Sequence, residues 1–124
     1  GIIVNKYWNK KELELYMQNV IKFQQKHNIP NNKILVGEFG AHRTTKGIEN
    51  YFSDLIDIFN KNKWHYAFYS FREDNWDGMD YELGSDNITN LYLNNIYNNN
   101  VASKYRDFQS PTFMPIAKNL ANLV

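Results

Sequence analysis

The sequence predicts an α/β chain organised around a strand, a helix and a second strand joined by short links. Two runs of buried-strand character and an amphipathic run between them carry that expectation. Ile34-Leu35-Val36-Gly37-Glu38-Phe39-Gly40 is β-branched at its start and bounded by turn residues, as a strand buried on both faces would be. From Gly47 to Lys61, Ile48, Tyr51, Phe52, Leu55, Ile58 and Phe59 recur at helical spacing. The run 64–71 is dense in aromatics and reads as a second strand. Strand, helix and strand in that order imply a parallel pair with a crossover connection. Parallel strands need both faces covered, and the side chains of Leu35, Val36, Phe39, Ala67 and Phe68 would lack a cover on one side.

The flanking elements follow from the same rules. Over 10–27, Leu13, Met17, Val20, Ile21 and Phe23 form one apolar stripe, Asn9 is placed to cap, and Glu12 stands three residues on, as in a capping box. Asn28-Ile29-Pro30 stops this helix, because the residue before proline is driven out of the helical region. Thr44 or Thr45 is the expected cap of the 47–61 helix. After Phe71 the chain turns polar and acidic, with Asp77-Gly78 and Gly84-Ser85 as loop chemistry, so 72–100 is expected to be a long loop with at most a helical turn or two over 86–97. A last helix is expected over 113–122, capped by Thr112, with Pro115 near its start, where the missing N–H costs nothing.

Composition narrows the function classes. The chain has 124 residues, 43% hydrophobic and 22% charged, and no apolar run approaches the roughly 20 residues of a membrane span. Net charge is +1 with the signs interspersed, which gives no footprint for a phosphate backbone or an anionic membrane, so neither nucleic acid nor membrane is expected as a partner. Without cysteine there are no disulfides, thiolate nucleophiles or sulfur-based zinc sites, and no His or carboxylate cluster has metal-ligand spacing, so no metal and no cofactor are expected. Gly1-Ile2-Ile3-Val4 lacks the basic start and cleavage motif of a signal peptide. Aromatics make up 16%, and tyrosine and tryptophan supply flat apolar platforms with a polar edge.

Among the candidate chemical groups, Glu38 stands apart. A carboxylate near the end of a buried strand is costly unless it is paired, hydrogen-bonded or used. Regular alternation would put Ile34, Val36 and Glu38 on one face and Leu35 and Phe39 on the other. Position alone leaves two roles open: a structural carboxylate paired with an arginine such as Arg43, or a group that does chemistry.

The 34–40 run resembles the seventh strand of glycoside hydrolase family five, the cellulase and mannanase family, in which the glutamate of a Gly-Glu-Phe-Gly sequence is the nucleophile. Trp64-His65-Tyr66-Ala67-Phe68-Tyr69-Ser70-Phe71 and the following Trp76-Asp77-Gly78-Met79-Asp80-Tyr81 resemble that family's eighth strand and its loop. The resemblance spans most of the chain from Leu13 to Gly84. It implies the C-terminal part of a (β/α)8 TIM barrel, incomplete in this chain, since a closed barrel needs roughly 250 residues. It further implies a secreted, extracellular hydrolase that cleaves β-glycosidic bonds in an oligo- or polysaccharide by double displacement, with the N-terminal part of the barrel as the missing partner.

On that resemblance Glu38 is the nucleophile, and the partner acid follows an asparagine on the fourth strand. No Asn-Glu pair occurs here, so this segment alone is expected to be inactive. An aromatic on the eighth strand floors the sugar subsite beside the scissile bond: Tyr69 aligns best, with Phe71 as the rival, and plain core packing is the alternative for Tyr69. Trp76 and Asp77 could meet outer sugars or simply structure their loop. His42 and Arg43 follow the seventh strand and could orient Glu38 or substrate, or serve only the surface. A reading from another class is a small non-catalytic α/β domain that binds glycan or protein through an aromatic surface.

Overall fold

The computed structural model describes residues 8–70, 77–81 and 113–121. Helix α1, Lys10–His27, starts where Asn9 holds extended backbone and its side-chain oxygen accepts the Glu12 amide at 3.1 Å, satisfying one of the orphan donors of the first turn. It closes at Asn28, left-handed at φ 52°, where the Asn28 and Ile29 amides donate back to the carbonyls of Gln25 and Gln24. This is a Schellman-type stop with Asn in the place usually held by glycine. A 3-10 turn, Asn31–Lys33, leads into strand β1, Leu35–Phe39.

Helix α2, Ile48–Lys61, begins without a side-chain cap. Neither Thr44 nor Thr45 caps it as expected; the cap is Gly47 at φ 83°, where a Cβ would be strained, and Thr45 lends its carbonyl to the Ile48 amide at 3.2 Å. Strand β2, His65–Phe68, is shorter than the expected 64–71, since Trp64 turns into the core at 4% exposure and Phe71 lies outside the described residues. Helix α3 covers Met114–Ala121. The expected Thr112 cap and the turns over 86–97 also lie outside the described residues.

β1 and β2 pair in parallel, with Leu35 opposite His65, Val36 opposite Tyr66 and Phe39 opposite Phe68. Between the last two pairs β1 spends one residue more than β2, which is a bulge. Strict alternation therefore fails on β1. Val36 and Phe39 both pack on the helix side, whereas Leu35, Gly37 and Glu38 are exposed. The expected grouping of Val36 with Glu38 is corrected accordingly.

Among the described residues, α1, α2 and α3 feed one core on one side of the sheet. α2 lies at its centre, with Phe52 and Phe59 at 0% exposure, and its buried set gains Ile56 because neighbours flank it on two sides. Phe39 meets Phe52, Phe59 and Tyr66 edge-on at centroid distances of 5.9, 5.2 and 5.8 Å. Leu13 and Ile116 join this core from α1 and α3. Lys10 pairs with Asp57 at 2.7 Å and Glu14 with Lys61 at 3.1 Å, so α1 and α2 run in the same direction. The α1 stripe departs from expectation at its end: Phe23 is 54% exposed, stacked near His27, and Gln24 is buried instead. Gln24 accepts the Trp64 indole N–H at 2.9 Å and donates to Asn31 at 3.0 Å, so this buried amide is satisfied and ties α1 to the foot of β2. On the far face of the sheet Leu35, at 65% exposure, sits with exposed His65 and Ala67.

Candidate functional site

The C-terminal ends of β1 and β2 converge on one rim. Glu38 is exposed there, held between Gly37 and the buried Phe39. The ion pairs among the described residues are Lys10–Asp57 and Glu14–Lys61, so Glu38 is not bound to Arg43 or to any other described cation. The pairing extends past β2, because the Tyr69 amide donates to the Phe39 carbonyl at 3.0 Å. Tyr69 is half-buried, packs against the core, and its peptide bond to Ser70 is cis.

The segment 77–81 folds back over these ends. Ser70 donates its amide to the Met79 carbonyl and accepts the Tyr81 amide, both at 3.1 Å. Tyr81, at 0% exposure, accepts the Ala41 amide at 2.9 Å and donates its hydroxyl to the Ala41 carbonyl at 2.6 Å. Burial pushes the Tyr81 phenol up, opposed by the Ala41 backbone bond and helped by neighbouring Tyr51. A Cβ on Gly40 would stand 2.6 Å from both the Tyr69 carbonyl and the Tyr81 hydroxyl, so this contact requires glycine.

The other expected site residues are scattered. Arg43 is only 2% exposed, and its amide donates to the Gly78 carbonyl at 2.7 Å. His42 is exposed, its Nδ1 lying 2.9 Å from the Thr44 hydroxyl within a local turn. Asp77 opens the 3-10 turn Asp77–Met79. Phe71 and Trp76 lie outside the described residues. The structure thus brings Glu38 and Tyr69 to adjacent strand ends, encloses Arg43 beneath the rim and turns His42 toward solvent.

On the helix side of the sheet a groove of about 640 Å³ runs between α1, β1 and α2, lined by Trp8, Tyr16, Val36, Glu38, Tyr51 and Met79 among others. Trp8 and Tyr16 are 49% and 62% exposed and meet edge-on at 6.0 Å. Sequence reasoning missed both: Tyr16 lies off the main apolar stripe of α1, and Trp8 stands outside the helix beside its cap. Only their exposure in three dimensions singles them out.

No protein-family model matches this chain, and no curated protein is detectably similar to it.

Glu38 is the one carboxylate among the described residues lining the groove, and its neighbours there are aromatic or aliphatic. Such a group can accept hydrogen bonds from hydroxyls, take a proton or attack an electrophilic carbon, while the aromatic walls suit the apolar C–H faces of a sugar ring. Among the described residues no three metal-ligating side chains gather, and no helix is long and apolar enough to cross a membrane.

Proposed function

We propose that the chain is the C-terminal sector of a retaining β-glycoside hydrolase barrel, resembling glycoside hydrolase family five, with Glu38 as nucleophile and Tyr69 flooring the adjacent sugar subsite. The observation that carries this reading is an exposed carboxylate at the C-terminal end of a parallel strand, beside the end of the strand that leads to Tyr69. Barrel enzymes build their sites at that end of their strands. One-sidedness adds support. Successive helices that run alike and cover a single face of a parallel sheet suit the outer ring of a barrel, whereas an open doubly wound sheet has helices on both faces.

In the proposed reaction a Glu38 oxygen attacks the anomeric carbon as the bond from that carbon to the leaving oxygen breaks. A second carboxylic acid gives its proton to the leaving oxygen, then takes one from water, and that water attacks the same carbon and frees Glu38. The two carboxyl groups must stand roughly 5–5.5 Å apart. The acid is assigned to a strand outside this sequence, in keeping with the single carboxylate of the groove.

Glu38→Gln keeps shape and most hydrogen bonding but removes the charge that attacks carbon. In the complete barrel, turnover of an aryl β-glycoside is expected to fall by about a thousandfold or more while substrate still binds. A 2-fluoro glycoside should esterify Glu38 in the wild type, located by peptide mapping, and leave the Gln variant unlabelled. Label on another carboxylate, or near-normal turnover of the variant, would refute the assignment.

A further inference from the structure

The loop segment that reaches back across the rim makes a contact with no evident purpose in core packing alone. Its phenol engages both polar groups of a single residue's backbone: Tyr81 accepts from the Ala41 amide at 2.9 Å and donates to the Ala41 carbonyl at 2.6 Å. Neither strand can claim Ala41, which lies just past β1. A buried tyrosine needs one hydrogen-bond partner to settle its hydroxyl, and here both of its capacities are spent on the turn that follows Glu38.

The same segment holds the other strand. The Tyr81 amide donates to the Ser70 carbonyl and the Ser70 amide to the Met79 carbonyl, each at 3.1 Å. Gly40 brings the turn within 2.6 Å of both the Tyr81 hydroxyl and the Tyr69 carbonyl, measured from where its Cβ would be. Tyr81 is therefore a strut between the end of the strand that bears Glu38 and the end of the strand that leads to Tyr69.

We propose that Tyr81 is a positioning residue: through the Ala41 peptide it fixes the height and direction of the Glu38 carboxylate relative to the Tyr69 ring. The catalytic meaning of that placement rests on the function proposed above; the placement itself does not. Attack on an anomeric carbon demands alignment within fractions of an ångström, and small misplacements are costly in rate. A hydroxyl that grips the backbone three residues past the reacting group supplies that kind of constraint without touching substrate.

The test is Tyr81→Phe in the full chain, with Ile58→Ala as a control that loosens the core at a 1% exposed helix residue without touching the Ala41 turn. Tyr81→Phe keeps the ring against Phe52, centroids 4.9 Å apart, and removes only the hydroxyl. Hydrogen exchange at the Ala41 amide is expected to quicken by about tenfold, the scale of one net hydrogen bond. The Glu38 amide and side-chain carbon resonances at fixed pH should move in the same variant. Ile58→Ala, even with an equal or larger loss of thermal stability, should move neither. In the complete barrel Tyr81→Phe should lower kcat by roughly tenfold or more at little-changed KM. Unmoved Glu38 resonances in Tyr81→Phe, or an equal movement in Ile58→Ala, would overturn the proposal. Failure of the 2-fluoro glycoside to label wild-type Glu38 would instead sink the glycosidase reading, and the Glu38 resonances would still decide the positioning role.

Discussion

Gly40 shows how a single side chain's absence can set a site. A methyl group there would meet a backbone carbonyl and a buried phenol at 2.6 Å, and the Met79 methyl at 2.7 Å. The carbonyl cannot swing away, because it belongs to the peptide that follows the Tyr69 bond to Phe39. Gly40→Ala is therefore expected to cost about 1–3 kcal/mol, the usual range for overpacking, with a fall in the thermal unfolding midpoint. Gly37, with nothing within 4 Å of its would-be Cβ, is the matched control and should accept Ala with little change. Glu38 stands out in the sequence as a carboxylate in an apolar run, but that argument took the strand end as buried, and the structure leaves Glu38 exposed because no described element covers it. Tyr81 does not stand out, since its partner is the backbone of a residue 40 positions earlier, and no local pattern encodes that pairing.

The helices were legible because their determinants are local. The Asn9 cap, the proline stop and the α2 stripe each depend on residues a turn or two apart, and each lies where the spacing put it. Where expectation failed, a neighbour intervened: Gln24 displaced Phe23 from the buried stripe because the Trp64 indole offers it a partner. The bulge in β1 was invisible for the same reason, since it exists only in the register with β2. It also suggests a deletion. Removing Gly37 would leave Val36 and Phe39 two residues apart, matching Tyr66 and Phe68, and would keep Phe39 inward and Glu38 outward. We expect such a chain to unfold at nearly the wild-type temperature, yet to lose labelling of Glu38 in the complete barrel, because bulges re-aim the side chains they carry. A collapse in thermal stability would mean that the bulge is needed by the core itself.

At the scale of the whole molecule, one face is finished and the other is not. The helix side holds residues at 0% exposure, whereas Leu35 on the far face is 65% exposed. Parallel sheets are found with both faces covered, which is why the α/β class was legible while closure into a barrel was an expectation drawn from family resemblance. The sector reading predicts weak protection when the 124 residues are studied alone. Hydrogen exchange at the Leu35 and Phe68 amides is then expected to proceed by local opening, well below the protection of α2 amides near Phe52 and Phe59. Cooperative, equal protection of strands and helix in the monomer would favour the self-contained, non-catalytic domain.

The two clasps described above, Gln24 with Trp64 at the foot of the strands and Ala41 with Tyr81 at their crown, each join residues 40 positions apart in the chain. Both bridge the exposed 44–47 turn rather than passing through it. Covalent continuity at that turn is thus redundant with the strand pairing, the two inter-helix ion pairs and the clasps at either end. A polypeptide severed there would still have its halves gripped at top and bottom, which makes this turn the natural seam for complementing fragments.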